Sequence, residues 1–269
     1  MNRLTTTLTL DSPLVVASDV HLRLPDDDRS RLLLDVFQRL GPSVEYLVLN
    51  GDIFDFCLGD SEYFRKKFRV IGEALGRVAQ RGVKVLFVEG NHEFHLDRIG
   101  WEGVEVIQTY DLTLTLKSGE RIKVTHGDLL TNEPLYRVFR ALVKSSFARV
   151  AAQFVPGSWL DAYAMKHATM SRSQDKYRRL DHERILGAFN RWLAASDCDH
   201  GIIGHFHVPY AERHETRAGL MLSVESWDRP NLLVYERGEF QRIFLAPPGS
   251  PFVFEPAESL FRTVPSGGA

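Results

Sequence analysis

The residues of this chain that could do chemistry lie in five short polar clusters, each placed where a hydrophobic run gives out. In order they are Asp19-Val20-His21, Gly51-Asp52, Gly90-Asn91-His92-Glu93, His126-Gly127-Asp128 and Gly204-His205-Phe206-His207. Asp19, His21, Asp52, Asn91, His126, His205 and His207 together offer enough oxygen and nitrogen donors for two adjacent divalent cations. A pair of such cations activates water and offsets charge on a phosphoryl group, so the chemistry these residues suit is metal-dependent phosphoester hydrolysis. Singly, each cluster has a plainer explanation. Asp52 after Asn50-Gly51 fits turn chemistry, and Asp19-x-His21 fits a turn Asp beside a surface His. His205 and His207 say more, since alternate residues of an extended segment point to one side. The joint pattern, five clusters at the ends of five runs, weighs against coincidence.

The elements that must position these clusters are legible as alternating strands and helices. Leu14-Val15-Val16-Ala17 reads as a buried strand ending at Asp19, and Tyr46-Leu47-Val48-Leu49 as one ending at Asn50-Gly51-Asp52. Val83 to Val88 reads as a third, ending at Gly90-Asn91. Between them, helical spacing of apolar residues predicts helices over Arg29–Leu40, stopped by Gly41-Pro42, and over Phe64–Ala79. Asp111–Leu116 and Arg121–Thr125 read as a hairpin leading into His126. Strand-helix alternation followed by hairpins predicts a layered α/β sandwich, and in α/β sheets ligands gather at the carboxyl ends of the strands. Pro247–Ala269, rich in Pro, Gly and Ser, reads as a loosely packed tail.

Composition bounds the function. A length of 269 residues suits one large domain or a domain with an insertion. A formal net charge of −2 argues against a nucleic-acid binder, which would carry a basic surface. Cys57 and Cys198 are far apart with no CxxC spacing, so no disulfide framework is implied and a reducing cytoplasm fits. No run approaches the ~20 apolar residues of a membrane span. A soluble cytoplasmic protein is expected, with peripheral contact to the inner membrane left open.

The order DxH, GD, GNH(D/E), HGD and GHxH resembles that of the calcineurin-like metallophosphoesterases. Within them the flanking text is similar to the UDP-2,3-diacylglucosamine hydrolases of the lipid A pathway. It carries Ser18-Asp19-Val20-His21-Leu22, Gly51-Asp52-Ile53-Phe54-Asp55-Phe56, Tyr136 and Phe139-Arg140 after His126-Gly127-Asp128, and Gly204-His205-Phe206-His207-Val208-Pro209. The resemblance spans about residues 14–246 and implies a four-layer metallophosphoesterase β-sandwich flanked by helices, with a helical cap insertion at about 136–191. On that basis residues 1–246 form the catalytic domain and 247–269 the tail. The resemblance implies that Asp19, His21, Asp52 and His207 hold one metal, and Asp52, Asn91, His126 and His205 the other. Mn²⁺ is the expected ion, with Fe or Zn²⁺ as alternatives. Asp52 bridges, His92 serves the phosphate or the leaving oxygen, and Asp55 orients a ligand. The familiar lipid A hydrolases carry Arg where this chain has His92.

The insertion combines apolar residues (Leu142, Phe147, Phe154, Trp159, Tyr163) with cations (Arg137, Arg140, Lys144, Arg149, Lys166, Arg172, Lys176). One reading is an ordinary helical elaboration with its apolar residues packed inward. The other is a cap whose apolar lining holds acyl chains and whose cations meet a diphosphate or an anionic membrane. Asn91, His92, Tyr136, Lys166, Ser171, Arg172 and Lys176 are the candidate substrate contacts. Two hydrolase readings follow: cleavage of the diphosphate of UDP-2,3-diacylglucosamine to UMP and 2,3-diacylglucosamine 1-phosphate, or a soluble phosphatase or phosphodiesterase acting on a nucleotide or phosphoprotein. A non-catalytic metal-binding scaffold is disfavoured because no ligand is missing.

Overall fold

The computed structural model describes residues 6–131, 134–152, 154–172, 182–207, 210–213 and 219–256. The chain runs β1 (Thr6–Thr7), β2 (Leu14–Ala17), α1 (Asp28–Gln38), β3 (Tyr46–Asn50), β4 (Cys57–Leu58), α2 (Glu62–Lys67), α3 (Arg69–Gln80), β5 (Lys84–Val88), β6 (Glu93–Phe94), β7 (Val104–Ile107), β8 (Leu112–Thr115) and β9 (Arg121–Thr125). Four helices follow: α4 (Pro134–Val143), α5 (Ser146–Ala152), α6 (Gly157–Arg172) and α7 (His182–Ala194). The chain then completes its sheets with β10 (His200–Ile203), β11 (Tyr210–Arg213), β12 (Leu220–Ser223), β13 (Asn231–Glu236), β14 (Glu239–Phe244) and β15 (Phe252–Pro256).

An eight-stranded sheet has the order β1-β15-β14-β13-β2-β3-β5-β7, and a five-stranded sheet the order β11-β12-β10-β9-β8. The sequence explains why these two sheets stack. Strands β2, β3 and β5 are parallel neighbours with apolar residues on both faces, as a sheet covered on both sides requires. Along β2, Leu14 and Val16 point to one core with Ile122, Val124, Ile202 and Leu222 of the second sheet. Val15 and Ala17 point the other way, to a core with Leu33, Val36 and Phe37 of α1 and Ile71, Leu75 and Val78 of α3. On the far side of the second sheet, Ile203 and Met221 pack on Ile185, Phe189 and Leu193 of α7. The result is four layers: helices, sheet, sheet, helix.

Three local expectations are corrected. The helix expected over Phe64–Ala79 is two helices that break at Phe68, which lies outside α geometry at φ −104° and ψ 19°. Phe68 is buried against Phe54, with ring centroids 4.2 Å apart, so packing sets the break where no Gly or Pro marks it. The loosely packed tail does not begin at Pro247. Phe252–Pro256 is a strand paired antiparallel with both β14 and β1, and burying Phe252 and Phe254 outweighs the Pro/Gly/Ser character of its surroundings. Residues 257–269 lie outside the described residues. The third lies at His205 and His207, whose backbone is left-handed rather than extended.

Candidate metal centre

The ends of β2, β3, β5, β9 and β10 point their loops at one spot. These loops are tied to one another by main-chain bonds before any side chain acts. Asp19 N donates to Gly51 O at 3.0 Å, His21 N to Asp52 O at 3.0 Å, and Gly204 N to His126 O at 2.9 Å. Five candidate ligands, Asp19, His21, Asp52, His205 and His207, have φ between 52° and 67°. A non-glycine residue in the left-handed region is uncommon and strained, and such strain gathers where function fixes the backbone. His205 and His207 are therefore not alternate residues of an extended segment. Both imidazoles reach the cluster from left-handed turns, while the Phe206 side chain is buried against Leu130 and Phe189.

Three groups of side chains have ligand atoms all within 4.8 Å of one another: Asp19, His21 and His207; His21, Asp52 and His92; Asp52, His126 and His205. His21 and Asp52 each belong to two groups, so the three form one continuous cluster. Asn91 joins it, its Oδ1 lying 3.2 Å from His126 Nε2. His207 Nε2 is 3.2 Å from Asp19 Oδ1, and His126 Nε2 is 3.4 Å from Asp52 Oδ2. The seven residues expected as ligands are thus brought together.

Two glycines are required by this closeness. At Gly51, with φ +77°, a Cβ would fall 2.4 Å from His126 Nδ1, and at Gly90 one would fall 2.2 Å from Asp52 Oδ1. Either side chain would displace a ligand.

Electrostatics supply the test of whether cations fit. Burial pushes the Asp52 carboxyl up, but His126, His92 and His21 around it hold it well below the usual carboxylate range. Burial pushes His126 down, yet the Asp52, Asp19 and Asp128 carboxylates outweigh it and raise the ring to about 10. Burial, and after it the His126 charge, brings His205 down to about 4. Buried carboxylates here hold positive charge in place. His21, only 6% exposed, has its Nδ1 3.4 Å from Asp55 Oδ1, while its buried Nε2 has no hydrogen-bond partner among the described residues. Buried polar atoms without partners are rare. A mixed set of carboxylate, amide and imidazole donors with an unspent ring nitrogen fits a transition-metal cation.

A second ring of contacts orients the ligands. Asn50 O accepts from His126 Nδ1 at 2.9 Å, which directs Nε2 to the cluster, and from Ser18 Oγ at 2.7 Å. Ser18 lies against Asp19 as well, with its Oγ 2.6 Å from Asp19 Oδ2. Glu93 accepts from three main-chain donors: Asp52 N at 2.9 Å, Gly90 N at 2.9 Å and Phe54 N at 3.0 Å. It thereby clamps the two loops that carry Asp52 and Asn91, and burial together with the Asp52 charge raises its carboxyl to about 7. Asp55 receives Arg23 Nε at 2.6 Å and lies 3.4 Å from His21 Nδ1. Glu93 closes the third motif, which assigns it no role, and Ser18, Asn50 and Arg23 are not singled out by the sequence. Their only signal is adjacency to a ligand motif.

His92 stands apart from the other imidazoles. Its Nδ1 is 2.6 Å from Asp55 O, its Nε2 faces Asp52 Oδ2 at 3.8 Å, and its side chain is 28% exposed. His207 is as open, at 27%, but its Nε2 lies 3.2 Å from Asp19 Oδ1, so His92 is the looser ring at the cluster's edge that an incoming group can meet. Tyr136 reaches the site's margin, donating to Asp128 Oδ2 at 2.9 Å. Lys166 is exposed on α6, with no hydrogen bond or ion pair to the cluster among the described residues. Ser171 and Arg172 end α6, where side chains are not described, and Lys176 lies outside the described residues.

The α4–α6 region differs from an inward-packed elaboration. Leu135, Phe147, Phe154 and Trp159 are 86%, 84%, 83% and 72% exposed, and Val138, Phe139, Leu142, Val150 and Tyr163 are exposed with them. Apolar surface on this scale marks an interaction site. No helix among the described residues is long and apolar enough to cross a membrane.

Residues 12–209 match the profile of the family described as calcineurin-like phosphoesterase. The chain is 26% identical over 194 residues to a UDP-2,3-diacylglucosamine hydrolase of Aeromonas hydrophila, covering 71% of this chain and 80% of that one. A protein of the same description from Neisseria gonorrhoeae is 27% identical over 198 residues, covering 72% and 82%. Among solved structures, an archaeal phosphodiesterase aligns with a TM-score of 0.42 and 14% identity, over 86% of this chain and 99% of the other.

Proposed function

This chain belongs to the calcineurin-like phosphoesterase family and is a metal-dependent phosphoester hydrolase; on that premise we propose that it cleaves the diphosphate of UDP-2,3-diacylglucosamine. The products are UMP and 2,3-diacylglucosamine 1-phosphate. The observation that carries the substrate is the exposed apolar surface of α4–α6, one helix of which is pinned to the ligand loops. An acylated sugar nucleotide needs an apolar surface beside a phosphoryl centre, and a small water-soluble ester does not. The relatives described as UDP-2,3-diacylglucosamine hydrolases support the same reading.

In this reading Asp19, His21, Asp52 and His207 hold one cation and Asp52, Asn91, His126 and His205 the other, with Mn²⁺ as the expected ion. Divalent cations at such a pair lower the pKa of water and stabilise charge on phosphoryl oxygens. The chain's own groups do the rest. Asp52, shared by both sets, keeps them adjacent, and Asn50 O holds the His126 tautomer that leaves Nε2 for ligation. Asp55 O fixes His92 by Nδ1 and leaves Nε2 to hydrogen-bond a phosphoryl oxygen or pass a proton to the leaving oxygen. The exposed apolar face takes acyl chains and contacts an anionic membrane, with the exposed Arg137 on the same helix as Leu135, Val138 and Phe139.

His92 favours a second reading, a phosphodiesterase for a soluble ester, because an imidazole serves any phosphoryl group. The two separate in one assay. Mn²⁺-dependent UMP release from UDP-2,3-diacylglucosamine at a kcat/KM well above that for bis(p-nitrophenyl) phosphate is the expected result. Cleavage of the aryl diester alone would overturn the lipid substrate and keep the hydrolase.

A further inference from the structure

Helix α4 has an inner face that reaches the ligand loops. Tyr136, Arg140 and Lys144 recur every four residues and so lie on one side, with Lys144 N bonded to Arg140 O at 3.0 Å in continuation of the helix. Tyr136 and Arg140 both engage Asp128: the hydroxyl donates to Oδ2 at 2.9 Å, and Arg140 Nε lies 2.6 Å from the same oxygen. Lys144 Nζ donates to Gly90 O at 2.9 Å and to Glu89 Oε2 at 3.1 Å. Glu89 also accepts from Leu96 N through Oε1. Asp128 follows His126 by two residues, and Gly90 precedes Asn91.

Glu89 and Asp128 are buried, each only a few per cent exposed. A buried carboxylate is costly without a counter-charge, so each loop depends on the cation that α4 supplies to it. The loop after β5 and the loop after β9 are thereby fastened to one rigid helix. Those loops carry Asn91 and His126, whose Oδ1 and Nε2 lie 3.2 Å apart.

We propose that Arg140 and Lys144 are positioning residues, and that α4 is a strut setting the separation of Asn91 and His126. The inference rests on the two-cation reading of the site and adds what holds one half of it. Because Leu135, Val138, Phe139 and Leu142 of the same helix are exposed, the strut and part of the apolar surface are one element.

The test uses Lys144→Met, which keeps a long buried stem without the ammonium, Lys144→Arg, and Arg140→Lys. Three readouts are taken on the full chain: hydrogen exchange of the metal-free protein, Mn²⁺ binding by calorimetry, and kcat and KM on bis(p-nitrophenyl) phosphate. Lys144→Met should speed exchange in residues 89–92 and leave β2 and β3 as protected as before. It should weaken one Mn²⁺ equivalent by about 10- to 100-fold, the usual effect of losing a group that orients a ligand, and spare the other. It should lower kcat by a similar factor with KM nearly unchanged, and Lys144→Arg should restore most of it. Unchanged exchange, affinities and kcat in both Lys144→Met and Arg140→Lys would overturn the proposal. Equal loss of both Mn²⁺ equivalents with no rescue by Arg would overturn it too, as ordinary destabilisation. Failure of the unmodified chain to bind Mn²⁺ would instead sink the metal-centre reading, and the exchange comparison would still decide the strut.

Discussion

Replacing Asp52 with Asn keeps the side chain's size and removes the charge on which both donor groups lean. Asp52→Asn should abolish turnover and lose both Mn²⁺ equivalents by calorimetry, while circular dichroism stays native; a variant that keeps two tight equivalents would contradict the shared role. His126 gives a pH dependence. Held near 10 by its carboxylate neighbours, it carries a proton at neutral pH in the metal-free chain, and a cation must displace that proton. Mn²⁺ affinity should therefore rise with pH from about 6 to about 9, by up to about tenfold per unit for one proton. Calorimetry in buffers of different ionisation enthalpy should register the release, and a flat profile would contradict it. Glu93→Gln presents an amide where three main-chain donors converge, so kcat should fall about 10- to 100-fold. At this scale the ligands were legible because each follows an apolar run. The roles of Ser18, Asn50 and Glu93 were not, although Glu93 stands in the third motif, because they act through main-chain atoms whose placement only the fold decides.

Strands β2, β3, β5 and β9 were legible from their apolar runs, and the ends of those runs located the site. The break at Phe68 and the strand Phe252–Pro256 were not, since both are decided by tertiary burial rather than local signals. Phe254 puts the second point to measurement. Phe254→Ala removes a buried ring from the β14–β15 edge and should cost about 3–5 kcal/mol in denaturant unfolding. A cost near zero would return the segment to a loose tail. The apolar character of the insertion was plain in the sequence, but its direction was not, because helical spacing alone does not say whether a partner covers the face. Trp159→Ser and Phe147→Ser should raise KM for the acylated sugar nucleotide and leave bis(p-nitrophenyl) phosphate cleavage unchanged. Equal effects on both substrates would remove the surface from substrate binding.

Across the whole molecule, charge and burial are distributed unevenly. A formal net charge of −2 coexists with a helical region that exposes apolar side chains together with Arg137 and Lys166. The four layers bury both free cysteines, and burial pushes the Cys57 thiol well above its ordinary range. The spacing of the two cysteines implies no disulfide framework, and the fold buries both thiols away from solvent. The central claim is that five loops at one edge of two stacked sheets build a two-cation phosphoester centre around Asp52. Anomalous diffraction at the manganese edge from crystals grown with Mn²⁺ tests it most directly. Two peaks ~3.5–4 Å apart on either side of the Asp52 carboxylate are predicted, one beside Asp19, His21 and His207 and the other beside Asn91, His126 and His205. A single peak, or two that do not share Asp52, would contradict the account.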